Sequence, residues 1–384
     1  MALKPQIPLI VIGASAGGLD AVVDVLGEVS PQIPAAILVV IHIGELDAKL
    51  PGFFEGRVPL PVIYAQDHAP IEPGKVYFAR PDRHLIVEEG QLRLGHGPRE
   101  NHARPAIDPL FRSAAEVYGP LVIAVVLTGF LTDGTAGLWE VKRRGGIAIV
   151  QDPDEAEVPG MPESALRHVD VDHCLRLKDI GQTLNKLAAD AAEKAPHLAS
   201  LGGETDMEYT ADMPVAMTCA TCGGALRKIT KGTYTQYRCH IGHTFGAPEL
   251  AKEQLERLRS ALEASARMLN ERVKFFRATA NETSLTKPES MAWEAAAAES
   301  ETRFDQLTKL LTADWTRPEL AVSSSKLEPP RIRPARNAAT RATLPSRTRK
   351  SAGGNAAKKP VNGRQAARMT RRPTAAGSAA PRPK

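Results

Sequence analysis

"LIVIGASAGGL", Leu9 to Leu19, is an apolar, β-branched run that breaks into small residues and passes directly into an amphipathic helix pattern. Three readings compete for it. Gly13, Ser15 and Gly18 fall on the glycine positions of the dinucleotide-binding turn G-x-G-x-x-G, with serine in the middle place. Gly13-Ala14-Ser15-Ala16-Gly17 also fits the nucleophile elbow G-x-S-x-G. Lys4 ahead of a short apolar stretch, with Ala14-Ser15-Ala16 behind it, imitates a secretory leader and its cleavage site.

The rest of the first half favours a folded α/β domain over a leader. "ILVVI" (Ile37 to Ile41), "LVIAVVL" (Leu121 to Leu127) and "GIAIV" (Gly146 to Val150) are further continuous apolar runs, the pattern of strands buried on both faces of a parallel sheet. Helical stripes lie between them, Leu19, Val22, Val23 and Leu26 in one and Leu110, Ala114 and Val117 in another. "KVYFAR" (Lys75 to Arg80) reads as an additional strand, and "HLIVEEGQLRL" (His84 to Leu94) as a hairpin turning at Glu89-Gly90. These elements predict a doubly wound, mostly parallel, Rossmann-like sheet over residues 1–190.

The chain of 384 residues has room for more than this domain. Its longest apolar run, around Leu121 to Leu131, is about half of the roughly 18 residues a membrane span needs. Three of the four cysteines crowd between Cys219 and Cys239, an arrangement suited to a metal site and not to a disulfide framework, and so to a reducing cytoplasm. The net charge of +5 conceals an asymmetry: residues 318–384 hold sixteen Lys and Arg against two Glu, a net of +14, which leaves residues 1–317 at −9. The body is acidic and the basic pI belongs to the tail.

In open α/β sheets the working groups gather at the carboxyl ends of the strands. Ser15 follows "LIVIGA", His42 follows "ILVVI", and Asp133 lies in "TGFLTDG" just beyond "LVIAVVL". Taken singly, such a serine is usually a helix cap, such a histidine a structural residue, and an aspartate before glycine a turn residue. Together at three strand ends they have the composition of a nucleophile, base and orienting acid. Their chain order, Ser-His-Asp, differs from the Ser-acid-His order of the α/β-hydrolases, so the elbow motif does not place the chain in that fold.

"VIGASAGGLDAV", "VVIHI", "RPAIDPLFRSAA", "VVLTGFLTDGTAGL" and "RRGGIAIVQDPDEAEVPGMPESAL" closely resemble, in order and spacing, the catalytic domain of the chemotaxis protein-glutamate methylesterases of the CheB type. The resemblance spans nearly all of residues 5–185. It implies hydrolysis of γ-glutamyl methyl esters on chemoreceptor helices, with possible deamidation of glutamines there, by Ser15 as nucleophile, His42 as base and Asp133 as orienting acid, without a catalytic cofactor. The helix N-terminus near Gly17 would face an oxyanion, with the Ala16 N–H as leading donor. Ala16 stands where the family often has threonine, and Phe130 where it usually has methionine, so main-chain donors survive while side-chain contributions there are in question. Arg104, Asp108 and the loop from Pro159 to Pro162 resemble features of the family's active-site rim, with scaffold roles as the alternative. His68, His84, His96 and His102 have no metal or catalytic spacing and are expected as surface or packing residues. The family's usual receiver domain has no counterpart ahead of Leu9, so regulation is expected from partners, expression or the C-terminal modules.

After a small-residue and acidic stretch, residues 213–246 carry Cys219-x-x-Cys222 and Cys239-x-x-x-His243, two ligand pairs of the kind that close a tetrahedral structural zinc site, with His240 as the alternative fourth ligand. Gly223 and Gly224 permit the tight turn after the first pair. Residues 247–317 read as two charged helices broken near Asn281 to Glu289, a hairpin or a partner-binding coiled coil. Residues 318–384 read as a disordered basic tail able to contact nucleic acid or another polyanion without sequence readout. The expected partner of the first domain is a methylated chemoreceptor or similar signalling protein. The competing readings are an inactive zinc-containing scaffold with a polyanion-binding tail, and a nicotinamide oxidoreductase, the latter disfavoured by Ser15 in the pyrophosphate-contacting glycine position.

Overall fold

A computed structural model describes residues 7–42, 50–198 and 209–317. Lys4 and the basic tail from residue 318 lie outside the described residues. In chain order the first half contains β1 (Leu9–Ala14), α1 (Gly18–Gly27), β2 (Ala36–Ile41), α2 (Leu50–Phe54), β3 (Val62–Tyr64), β4 (Val76–Phe78), β5 (His84–Glu88), β6 (Gln91–Gly95), α3 (Ile107–Tyr118), β7 (Val122–Val126), α4 (Thr135–Arg143), β8 (Ile147–Gln151), α5 (Gly160–His168), β9 (His173–Leu175) and α6 (Leu177–Leu198). Seven strands form one sheet in the order β3-β4-β2-β1-β7-β8-β9, and every neighbouring pair in it is parallel. Strands β5 and β6 form a separate antiparallel hairpin.

Burial explains the continuous apolar runs. All residues of β1, β2 and β7 are buried, and successive side chains enter opposite cores. Leu9 and Val11 join Leu38, Val40, Ala124 and Val126 beneath α3, α4 and α5, where Phe111, Leu138, Trp139 and Met161 pack. Ile10 and Ile12 join Ile37, Val39, Ile123 and Val125 on the other face, covered by α1 and α6 through Val22, Val25, Leu26, Ile180 and Leu184. Each such side chain contributes about 1.5–3 kcal/mol on leaving water, so neither face tolerates a polar interruption within a strand. On α1 the buried face is Ala21, Val22, Val25 and Leu26, turned from the expected stripe. Leu19 and Val23 are only half-buried.

The second half contains β10 (Tyr209–Thr218), β11 (Ala225–Lys231), β12 (Tyr234–Cys239) and β13 (Thr244–Gly246), a four-stranded antiparallel sheet, then α7 (Ala247–Ala280) and α8 (Lys287–Thr312). The two helices pack as a hairpin. Phe276 meets Trp293 at 5.3 Å between ring centres, Arg277 pairs with Glu301 at 2.6 Å, and a Thr286–Glu289 capping box starts α8.

This small sheet is docked onto the α/β domain. Lys231 of β11 pairs with Glu140 of α4 at 2.8 Å, both mostly buried, and His168 of α5 meets Thr233 at 2.9 Å. Between them, Tyr234 places its hydroxyl 2.8 Å from Thr132 Oγ1. The docking face therefore runs from α4 to the loop after β7.

Candidate functional site

The strand order reverses at β1, where β2 lies on one side and β7 on the other, and the crevice at such a switch point is where open α/β sheets bind ligands. Ser15 and His42 each sit one residue beyond a paired strand and are fixed by the ladder itself. Ser15 N–H donates to Thr128 O at 2.9 Å and His42 N–H to Ala14 O at 3.1 Å. Both side chains, with Asp133, line a cavity of about 740 Å³ that also touches Arg104, Phe130 and Lys252.

The loop between β7 and α4 is tightly held. Thr128 N–H donates to Gln151 Oε1 at 2.8 Å, and Thr128 Oγ1 donates to Ala16 O at 2.9 Å, tying the β7 loop to the β1 loop. A methyl group on Gly129 would stand 2.7 Å from Ser15 Cβ and overlap Met161 Sδ, so only glycine fits behind the serine. Leu131 takes a left-handed backbone, φ 66°, which a branched side chain adopts only under constraint from its surroundings.

Asp133 caps α3 from outside that helix. Its Oδ2 accepts Ile107 N–H at 2.7 Å, and its Oδ1 accepts Asp108 N–H at 3.2 Å, Gly134 N–H at 3.0 Å and Asn101 Nδ2–H at 2.9 Å. The two α3 amides belong to the first turn, where backbone donors have no partner within the helix. His42 Nε2 lies 2.9 Å from Asp133 Oδ2, although the ring N–H direction misses a well-aligned hydrogen bond; such contacts commonly tighten only when substrate is bound. Burial pushes the Asp133 carboxyl up, but His42, the Ile107 N–H and the Asn101 amide outweigh burial and hold it below the ordinary value.

Asp108 behaves in the opposite way. It is fully buried beside Asp133, and desolvation followed by the neighbouring negative charge pushes its carboxyl up to about 8. Its oxygens accept Gly137 N–H at 2.7 Å and Asn101 Nδ2–H at 2.9 Å. The sequence placed it on the rim; the structure puts it beneath the floor.

Ala16 N–H has no acceptor among the described residues and opens into the turn before α1. Gly129 N–H, by contrast, is taken by Val158 O at 2.8 Å. Phe130 is 60% exposed at the cavity mouth. Arg104 lines the cavity, but its guanidinium is engaged by Asp82 Oδ1 at 2.8 and 2.6 Å and by Gly97 O at 2.8 Å. His84 is buried between Pro98 O and Ala106 N–H, a packing residue. His102 bridges to the second half, with Nε2 at 2.9 Å from Glu249 O and Nδ1 at 2.7 Å from Glu253 Oε2.

Asn101, Glu249 and Gln236 are residues the sequence reading missed. Glu249, in the first turn of α7, is fully buried, and its Oε1 accepts both the N–H and the hydroxyl of Thr132 at 2.7 Å. Gln236 of β12 reaches Asp108 Oδ2 at 3.4 Å.

In the small sheet, the ligand atoms of Cys219, Cys222, Cys239 and His243 all lie within 4.8 Å of one another. Cys222 Sγ and Cys239 Sγ are 3.7 Å apart, and Cys239 Sγ and His243 Nδ1 3.5 Å. A tetrahedral zinc with bonds of about 2.3 Å to sulfur and about 2.0 Å to nitrogen has ligand–ligand edges of this size. His240 is not in the cluster; its ring packs beside Gly224. Gly223, at φ 74°, makes the turn that returns its N–H to Cys219 O at 2.7 Å.

The CheB methylesterase family matches residues 10–184 of this chain. A candidate protein-glutamate methylesterase/protein-glutamine glutaminase of Leptospira interrogans is 38% identical over 187 residues, 48% of this chain and 97% of that protein. The protein-glutamate methylesterase FrzG of Myxococcus xanthus is 39% identical over 188 residues, 47% of this chain and 54% of that protein. Among solved structures, the CheB methylesterase catalytic domain of Thermotoga maritima is matched at 33% identity over 47% of this chain and 98% of that chain, with a TM-score of 0.46. The family match ends before the Cys/His module and the helical hairpin.

Proposed function

We propose that this chain, which belongs to the CheB methylesterase family, hydrolyses γ-glutamyl methyl esters on a methylated chemoreceptor-type protein with Ser15, His42 and Asp133 as its catalytic triad. The observation that carries the reading is the convergence of these three side chains, from the ends of β1, β2 and β7, on one cavity at the switch point of the sheet.

Because Nε2 of His42 faces Asp133, Nδ1 is the nitrogen left to serve Ser15. Ser15 Oγ attacks the ester carbonyl and its proton passes to His42. Asp133 holds the ring and stabilises the imidazolium. The oxyanion forms against the Ala16 N–H, the open donor beside the nucleophile. His42 then returns the proton to the departing methanol, and a water activated by the same histidine releases the glutamate carboxyl and frees Ser15. The same acyl-enzyme arises from a glutamine side chain with ammonia leaving, which accounts for glutaminase in the name of the Leptospira relative.

CheB methylesterases need no catalytic cofactor, and the Cys/His cluster is a structural zinc site in this reading: four protein ligands fill the shell and leave no position for an activated water. Zinc in three thiolates and an imidazole belongs in a reducing compartment, the cytoplasm. No helix among the described residues is long and apolar enough to cross a membrane. Phe130 and Arg104 shape the mouth and wall through which a receptor helix would present its ester.

The test is methanol release from a methyl-esterified receptor fragment by the wild type and by Ser15→Ala. Release by the wild type alone is expected. Equal release by both proteins, or none by the wild type, would overturn the reading.

A further inference from the structure

Asp133 is not held by the α/β domain alone. Asn101, which donates to it, is 6% exposed and stands with a left-handed backbone, φ 49°, in the connection that leads to α3. Both ends of its side-chain amide are engaged: Nδ2 donates to Asp133 Oδ1 and to Asp108 Oδ2, both at 2.9 Å, and Oδ1 accepts Gly246 N–H at 3.2 Å. Its backbone N–H donates to Thr244 O at 2.8 Å. The orientation of the amide follows from chemistry, because the reverse would aim its oxygen at the Asp133 carboxylate and its hydrogens at the Gly246 N–H.

Two of the four partners of Asn101 therefore belong to β13, the strand that directly follows His243. Two further contacts from the second half grip the neighbouring atoms, one from the first turn of α7 and one from β12. Glu249 Oε1 takes the N–H of Thr132, the residue before Asp133, and Gln236 reaches Asp108 from β12. Removing β13 would leave the Asn101 backbone N–H and amide oxygen without partners in a buried, conformationally demanding position, and the amide would no longer be fixed between the two carboxyls.

We propose that Asn101 is a positioning residue for the esterase, and that through it the C-terminal Cys/His module sets the place of Asp133. The inference rests on the triad reading above. The module then acts as a part of the catalytic unit, its β13 edge serving as the outer support of the orienting acid. Asn101 touches neither substrate nor nucleophile; it acts through Asp133 and, beyond it, His42.

The test uses the full chain with Asn101→Asp and Asn101→Ala, a peptide bearing a γ-glutamyl methyl ester, and circular dichroism to follow folding. Asn101→Asp keeps the acceptor for Gly246 N–H, and so the docking of β13, while replacing the donors to Asp133 and Asp108 by acceptors. In the folded variants kcat is expected to fall roughly tenfold to a hundredfold, with KM within about twofold of the wild type. Inactivation of Ser15 by a sulfonyl fluoride should slow in parallel, because the nucleophile depends on the same base. A folded variant with wild-type kcat and inactivation rate would sink the proposal. So would failure of both variants to fold, which would make Asn101 a folding determinant instead. Ser15→Ala in the same assay separates the two levels: if it matches the wild type the triad itself is wrong, whereas if it is inactive and Asn101→Asp is fully active only the positioning role fails.

Discussion

Asp133 and Ile107 are joined by a 2.7 Å hydrogen bond that makes the proposed catalytic acid the N-terminal cap of α3. One carboxylate thus serves two purposes, holding His42 and satisfying the first turn of a helix. Asp133→Asn would set an amide N–H against a cluster of donors and favour the wrong imidazole tautomer. Loss of kcat on the order of 10³- to 10⁴-fold is expected, as for triad acids generally, with KM little changed. Because the cap is also lost, the variant should unfold at lower urea than the wild type. A variant with lowered stability and intact kcat would separate the cap from the catalysis and refute the role of Asp133 in holding a catalytic His42.

The neighbouring carboxyl, Asp108, gives the protein a pH signature of its own. Its folded value of about 8 stands above its ordinary 3.8, so the folded protein retains a proton that the unfolded chain has released. Stability through this group is fully present below the ordinary value, declines as pH rises toward about 8, and levels off beyond it. Asp133, held below its ordinary value, behaves oppositely and weakens the fold only as strong acid protonates it. Asp108 therefore lowers the urea midpoint progressively from pH 5 to pH 8, and Asp108→Asn should remove that component from the wild-type profile whatever its constant offset. Parallel slopes for the two proteins would exclude a buried, protonated Asp108.

Gly129 offers a test of how closely Ser15 is set. A methyl at this position meets both Met161 Sδ, the movable end of a flexible side chain, and Ser15 Cβ, which cannot retreat without leaving the β1 ladder. Gly129→Ala is expected to reduce kcat by roughly 100-fold, the penalty typical of a misplacement near 1 Å. Adding Met161→Ala should restore little, because the contact with the serine remains. Full recovery in the double variant would show that the methionine, and not the nucleophile, sets the restriction.

The strand ends were legible because burial on both faces of a parallel sheet forces continuous apolar runs, and the residue after each run must then stand at the carboxyl end of the sheet. That logic points to Ser15 and His42 without contact information, and to the loop beyond "LVIAVVL" that holds Asp133. It could not deliver Asn101, Glu249 or Gln236. Glu249 sits in "APEL", an ordinary acidic first turn of a charged helix, and only docking against Thr132 shows it to be fully buried. Gln236 meets Asp108 across a tertiary interface that no local pattern encodes, and Asn101 reads as a turn residue in a polar connection. The spacing of Cys239, His240 and His243 left two candidates for the fourth ligand; the turn that brings Gly242 N–H to Cys239 O leaves His243, and not His240, beside the three cysteine sulfurs.

That selection yields the last prediction. The purified full chain should carry zinc in one-to-one ratio, and His243→Ala and Cys239→Ser should lose it while His240→Ala keeps it, by elemental analysis after dialysis. The structural consequence follows from the short sheet, whose own core consists of little more than Leu226, Phe245 and Leu250 around the buried cysteines. A metal bound at the cluster would hold the β12–β13 turn of so small a core. Chelation should therefore release Thr244 and Gly246 from Asn101 and lower kcat alongside the thermal midpoint, although the metal touches no reacting atom. Retention of zinc by His243→Ala together with its loss from His240→Ala would reverse the ligand assignment. A fully active, metal-free wild type would show that the α/β domain holds Asp133 without this support.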